Sequence, residues 1–257
     1  MRLSPFVLLD RIFTSPPDPA RAGWLRDWEY AHRGLHGPGV PENSLAAFAL
    51  AQERGMGVEC DIQRSRDGCA MLLHDWELDR LTGVSGPTAD HSAEELAQIA
   101  FLDSEHKLAR LEDLLPIVEG AVPILVEIKS KAGYDVARSC RAVAATLNGY
   151  TGKHAVMSFD PRVSRWFARH SPQTVRGLVM REDEYGLTQK AWQRHMTLWA
   201  AKPEFIAYHV AALPNAMVSR LRARGMPVLT WTVNSPATRE VGKAHADALI
   251  AEGEGLA

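Results

Sequence analysis

The chain has only three cysteines in 257 residues. An odd number cannot all pair within one chain, and Cys60, Cys69 and Cys140 lack metal-binding spacing. Neither a disulfide framework nor a cysteine-held zinc is therefore expected, and a reducing, cytoplasmic setting fits. Charge of one sign is also scarce, with 29 Lys and Arg against 31 Asp and Glu for a formal charge of -2. That removes the overall electrostatic case for nucleic acid or an anionic membrane as partner and leaves any phosphate recognition to a local pocket. Long hydrophobic runs are missing as well. Near the N-terminus only residues 6–9 are strongly apolar before Asp10 and Arg11 end the run. No stretch approaches the roughly 18 residues of a membrane span, so no membrane anchor is expected. Repeats, a G-x-S-x-G nucleophile elbow and an H-E-x-x-H zinc motif are all absent, which leaves covalent serine catalysis unsupported.

What is present is a rhythm. From Glu29 onward, short apolar runs alternate with amphipathic helical patterns, as in successive βα units around a parallel sheet. Candidate strands lie at 29–33, 57–63, 123–128, 155–158, 174–180, 205–209, 228–232 and 248–251. Eight is the number that closes a (β/α)8 TIM barrel. Helices are predicted after Ser44, with Gly55 as their stop, and at 111–118, 135–147, 215–224 and 236–243. Residues 1–28, with the run SPPDPARAG, read as an N-terminal surface arm of a single domain spanning 1–257. Residues 76–110 read as a small insertion after the second strand, with a short helix announced by the capping pair Ser92 and Glu95. Such an insertion overhangs the rim where active sites of this fold lie.

The run GVECDIQ at 57–63 places Glu59 and Asp61 on one face of a strand, because residues two apart project the same way. Like charges so close need a metal ion, a nearby cation or solvent to compensate them. In ILVEIKS, Glu127 and Lys129 repeat the spacing on another strand. Glu59, Asp61 and Glu127 could hold one Mg²⁺ or Ca²⁺, and Lys129 could balance a bound anion. Solvated strand ends are the competing reading, weakened by two such pairs on strands this apolar. His32 and Arg33 follow the first strand and His74 the second. Two histidines beside a metal suit a general acid and base, and Arg33 offers a planar fork to phosphate. Trp231 in LTWTVN could pack against an apolar or glyceryl part of a ligand, or fill the core.

In order, HRG, PENS, ECD, HD, EIK and TWTVN resemble the glycerophosphodiester phosphodiesterase family over roughly residues 31–250. The resemblance implies a TIM barrel that uses one divalent cation to hydrolyse a small phosphodiester substrate to glycerol 3-phosphate and an alcohol. It puts metal carboxylates at Glu59, Asp61 and Glu127, catalytic histidines at His32 and His74, and phosphate-contacting cations at Arg33 and Lys129. Glu42 and Asn43 match the motif beside the site, and Trp231 matches an aromatic of the substrate cleft.

The chain departs from the family in having Ser65 in SRDG where threonine is common, and ARLED in place of a P-T-L-x-E run. The last strand, ADALIAEGEG, lacks the usual T-D-x-P ending, which bears on substrate contacts at that rim and not on the metal ligands. Two alternatives stand beside the main reading. One is a lysophospholipase D-type enzyme, whose acyl chain would need a channel that Trp76, Leu78, Leu81, Ile99 and Phe101 could line. The other is a barrel that binds phosphate without catalysis.

Overall fold

The computed structural model describes residues 5–256. Residues 1–4 of the expected arm and Ala257 lie outside the described residues. The fold divides into two compact units, one of Tyr30–His154 and one joining the described residues up to Glu29 to those from Ala155 onward.

The first unit contains β1 (Tyr30–Ala31), β2 (Gly57–Arg64), β3 (Ala70–Leu72) and β4 (Ile124–Ile128). β2 pairs in parallel with β1 and with β4, in a register that sets Asp61 opposite Glu127. Tyr30 lies opposite Gly57, where a side chain would come within 2.5 Å of the tyrosine ring, so only glycine fits. β1 is shorter than the expected 29–33 because Arg33 and Gly34 adopt positive φ (56° and 79°) and turn the chain out of the sheet. The first helix, Leu45–Glu53, is capped by Ser44, whose Oγ accepts from the Ala47 amide at 3.2 Å. Gly55 follows it at φ 70°, the left-handed position its stop requires.

β3 is an added strand that the sequence pattern does not announce. It runs antiparallel to β2, with Ile62 opposite Leu72 and Arg64 opposite Ala70. The insertion beyond it has its own core of Met71, Leu73, Leu78, Leu96, Phe101 and Leu108, with Leu81 and Ile99 against it. Four of the five side chains considered for an acyl channel are used in that core. Trp76, the fifth, packs edge-on against Tyr134 at 5.0 Å beneath the Lys131 ammonium. The short helix here is Ala93–Leu96, headed by the Ser92 and Glu95 capping box.

The second unit contains β5 (His154–Ser158), β6 (Val175–Met180), β7 (Phe205–His209), β8 (Val228–Val233) and β9 (Ala248–Ala251). Successive pairs from β5 to β9 are parallel, and helices Pro161–His170, Ala191–Ala201, Ala216–Ala223 and Pro236–His245 connect them. The first two of those helices had no counterpart in the predicted set. With β3 set aside, eight strands alternate with helices, which is the (β/α)8 fold predicted from the sequence.

Helix Pro5–Phe13 precedes the proline run of the arm and lies along Ala191–Ala201. Phe6 stacks on His195 at 4.7 Å, and Phe13 meets Trp199 at 5.5 Å. Between them Asp10 is 4% exposed, and its Oδ1 contacts His195 Nδ1 at 2.8 Å and accepts from Trp199 Nε1 at 2.9 Å. Asp10→Ala strands the buried His195 ring nitrogen and the partly buried Trp199 N–H, so it is expected to lower stability by about 1–3 kcal/mol. The midpoint of urea unfolding measures this, and an unchanged midpoint would show that the arm does not contribute to the fold's stability.

Candidate active site

Glu59 and Asp61 on β2 are each 1% exposed, and Glu127 on β4 is 7% exposed. Solvent is thus excluded as what compensates the paired acids. A ligand oxygen from each of the three lies within 4.8 Å of the others. Burial pushes the Glu59 carboxyl well above the usual carboxylate range, and the charges of Asp61 and Glu127 push it further. Burial acts on Asp61 as well, but Lys129, His74 and Arg33 outweigh it and hold that carboxyl below its ordinary value. Three buried hard-oxygen donors, one resisting ionisation because of its burial and the charge of the other two, fit a small divalent cation in chemistry and in charge.

The counter-charges are Lys129 and Arg33. Lys129 Nζ lies 2.7 Å from Asp61 Oδ1 and 2.5 Å from Glu127 Oε1. Burial disfavours the ammonium, yet these two carboxylates raise its pKa above the ordinary lysine value. The positive φ that ends β1 directs the Arg33 amide to Glu59 Oε2 at 3.0 Å, and its Nη1 donates to Glu42 Oε1 at 2.8 Å. Arg33 Nε approaches Asp61 Oδ2 at 3.3 Å, but out of line for a hydrogen bond, so this buried N–H is unsatisfied. Asn43, fully buried, donates from Nδ2 to Asp61 Oδ2 at 2.9 Å and accepts from the Asp61 amide at 3.0 Å. That pair of bonds fixes the carboxylate's plane.

His74 Nδ1 sits 2.7 Å from Asp75 Oδ1, and the Gln63 amide donates to the His74 carbonyl at 3.1 Å. Burial lowers the pKa of His74 and Lys129 lowers it further, against the pull of Asp61 and Asp75. With Nδ1 taken by Asp75, Nε2 is the ring nitrogen that this contact leaves open. His32, half-buried directly after β1, acts on the charge of Asp61, as His74 does. Arg80 completes the set by binding both Asp75 and Glu42, the latter through Nη2 at 2.7 Å. Asp75 and Glu42, 33 residues apart in number, are thus held by one guanidinium. The sequence pattern carries no sign of Arg80, since its partners are distant in the chain.

Trp231 belongs to the other unit. Its Nε1 donates to the Ala207 carbonyl at 3.2 Å, and its ring stacks on His209 at 4.9 Å and meets the edge of Phe159 at 5.3 Å. The Arg181 guanidinium lies 5.7 Å from the ring centre. Polar and aromatic neighbours of this kind distinguish it from plain core filling.

The chain is similar to several known phosphodiesterases. A glycerophosphodiester phosphodiesterase of Caldanaerobacter subterraneus subsp. tengcongensis is 28% identical over 232 residues, covering 86% of this chain and 92% of that protein. Glycerophosphodiester phosphodiesterase 1 of Mus musculus is 26% identical over 279 residues, with 93% and 83% covered. Among solved structures, an Oleispira antarctica phosphodiesterase in complex with its product sn-glycerol-3-phosphate superposes with a TM-score of 0.76 at 22% identity, covering 87% of this chain and 92% of that one. The Thermotoga maritima glycerophosphodiester phosphodiesterase gives 0.71 at 24% identity, over 86% and 92%. Both share the (β/α)8 barrel fold. The model of the glycerophosphoryl diester phosphodiesterase family matches residues 32–252, a span that holds every side chain of the site just described, and the chain belongs to that family.

Proposed function

We propose that the chain is a metal-dependent cytoplasmic hydrolase that cleaves small glycerophosphodiesters to glycerol 3-phosphate and an alcohol, with 1–257 working as one catalytic domain. The observation that carries this reading is the convergence of Glu59, Asp61 and Glu127 beside Lys129 and the unsatisfied N–H of Arg33. A Mg²⁺ or Ca²⁺ ion held by the three carboxylates would polarise a phosphoryl oxygen and offset charge that develops on it. Arg33 and Lys129 bind the phosphate, and Arg33 Nε is the donor that still lacks an acceptor. His32 and His74 form the acid–base pair, one taking the proton of the nucleophile and the other protonating the leaving alkoxide. Glu42 and Asn43 orient Arg33 and Asp61, and Trp231 packs against the glyceryl part. The sn-glycerol-3-phosphate bound by the Oleispira protein supports the product assignment.

The test is release of glycerol 3-phosphate from a panel of glycerophosphodiesters with Mg²⁺, Ca²⁺ or chelator. Turnover that chelator abolishes and metal restores is the expected result, and the ranking of the panel identifies the alcohol. Activity on acylated substrates alone would favour the phospholipase-type alternative, which the closed core of the insertion disfavours. Phosphate binding with no turnover on either class would leave the non-catalytic barrel.

Asp75→Asn tests the assignment of His74. Supporting partners of this kind typically contribute about 10–100-fold to activity. The Asp75 carboxylate raises the pKa of His74 by favouring its charged form. Its loss is expected to move the limb of the pH–rate profile set by His74 toward lower pH. A limb that stays put, with activity reduced, would mean that Asp75 has only a structural role.

A further inference from the structure

Large apolar side chains are not exposed at random in this protein. Of ten such residues among those described, Leu8, Ile12 and Phe13 lie on helix Pro5–Phe13, and Trp192 and Met196 lie on helix Ala191–Ala201. Tyr185 and Leu187 stand in the loop that leads into the second of these helices. The two helices are neighbours, joined by a seam of Phe6, Asp10, His195 and Trp199, with half-exposed Phe13 at its edge. An ordinary surface helix buries its apolar stripe and shows charge to water. Helix Ala191–Ala201 buries Leu198 and Ala201 yet also exposes Trp192 and Met196, and helix Pro5–Phe13 buries its acid and exposes Leu8, Ile12 and Phe13. Here the one acid, Asp10, is buried and paired, while Ile12 is 69% and Trp192 52% exposed.

Charge on the helices of this side is mostly positive, although Glu182, Asp183 and exposed Glu184 precede Tyr185 in the loop. Helices Pro161–His170 and Ala216–Ala223 flank the pair: the first packs on Ala191–Ala201, and Arg224 at the end of the second donates to the carbonyls of Asp10 and Thr14. Across the four helices there are seven arginines and no acid except Asp10. Exposed Lys190 and Lys202 bracket the helix that carries Trp192. Acids do adjoin three of these arginines, since Arg162, Arg194 and Arg222 pair with Asp160, Glu182 and Asp247. Arg11, Arg169 and Arg220 are exposed. A chain of formal charge -2 thus concentrates cations around the exposed apolar side chains of helices Pro5–Phe13 and Ala191–Ala201, whereas Tyr185 and Leu187 follow three acids.

We propose that this face, centred on helices Pro5–Phe13 and Ala191–Ala201, docks on the surface of an anionic lipid bilayer. Ile, Leu, Phe and Trp side chains enter the headgroup boundary, and the surrounding arginines and lysines meet lipid phosphates. Among the described residues no helix is long and apolar enough to cross a membrane, so the contact is peripheral. A second copy of the chain is the poorer occupant, because a self-complementary contact would set Arg11, Lys190 and Lys202 against like charges. The proposal is independent of the catalytic assignment, and the test reads binding alone.

The experiment is flotation of the full chain with phosphatidylcholine vesicles, with and without phosphatidylglycerol, at low and high salt. Expected are co-flotation with the anionic vesicles, release by salt, and a loss of about tenfold or more when Ile12→Asp is combined with Trp192→Glu. Arg11→Ala with Lys190→Ala is expected to weaken binding about tenfold on anionic vesicles only. Unchanged thermal unfolding and unchanged turnover of a soluble substrate establish that the variants are folded. Folded protein that stays off anionic vesicles at low salt overturns the proposal, as does binding indifferent to both pairs of substitutions. A dimer in analytical ultracentrifugation that Ile12→Asp with Trp192→Glu dissociates would give the face to a second copy instead.

Discussion

His74→Ala is expected to lower kcat by about 10²–10⁴-fold, the usual contribution of a positioned acid or base, while the protein still binds its cation. His74 is not among the three carboxylates, so metal binding has no reason to fail. Its ring is anchored at Nδ1 by Asp75 and kept below its ordinary pKa by burial and Lys129. The choice of substrate separates its two conceivable roles. A nitrophenyl ester leaves without needing a proton, whereas an alkyl alcohol does not. If His74 is the acid, the loss shrinks sharply on the nitrophenyl ester; if it is the base, both substrates suffer alike. Steady-state kinetics on the two substrates decides between these roles, and full activity on both would remove His74 from the chemistry.

The second large effect is expected at Asp61. This carboxylate lies in the buried cluster with Glu59 and Glu127, meets Lys129 Nζ at 2.7 Å and accepts from Asn43 at 2.9 Å. Asp61→Asn keeps the volume and removes the charge, so activity should fall by about 10²-fold or more, as for loss of a preorganised electrostatic group. Cation binding should weaken in parallel. In metal-free protein two consequences oppose each other: Lys129 loses one of its two partners, and Glu59 is relieved of a like charge. The clean readout is therefore the rise in melting temperature on adding Mg²⁺ or Ca²⁺. A ligand at about 100 times its Kd stabilises by about 2.7 kcal/mol, and a 100-fold weaker site forfeits most of that gain. A metal titration identical to that of the parent chain would exclude Asp61 as a ligand.

Much of this molecule was written in local patterns. The i, i+2 pairs in GVECDIQ and ILVEIKS were enough to put Glu59 with Asp61 and Glu127 with Lys129 on common faces, because strand geometry alone fixes that relation. Cap and stop residues such as Ser44, Gly55 and Ser92 announced their helices by chemistry that acts over two or three residues. The alternation of strand and helix named the (β/α)8 fold before any contact was known.

Other features depend on residues distant in sequence, and local pattern says nothing about those. Glu42 and Asp75 share Arg80 only because the segments after β1 and β3 fold toward each other. Helix Pro5–Phe13 owes its position to a buried Asp10 that meets a histidine 185 residues away. β3 forms because β2 runs on past β1, which pairs only with Gly57 and Val58, and its own three residues carry no strand signal. Composition and periodicity determined which residues could share a face. Tertiary structure decided that the paired acids are buried, with Lys129 and Arg33 against them, since burial and charge compensation depend on everything packed around a side chain.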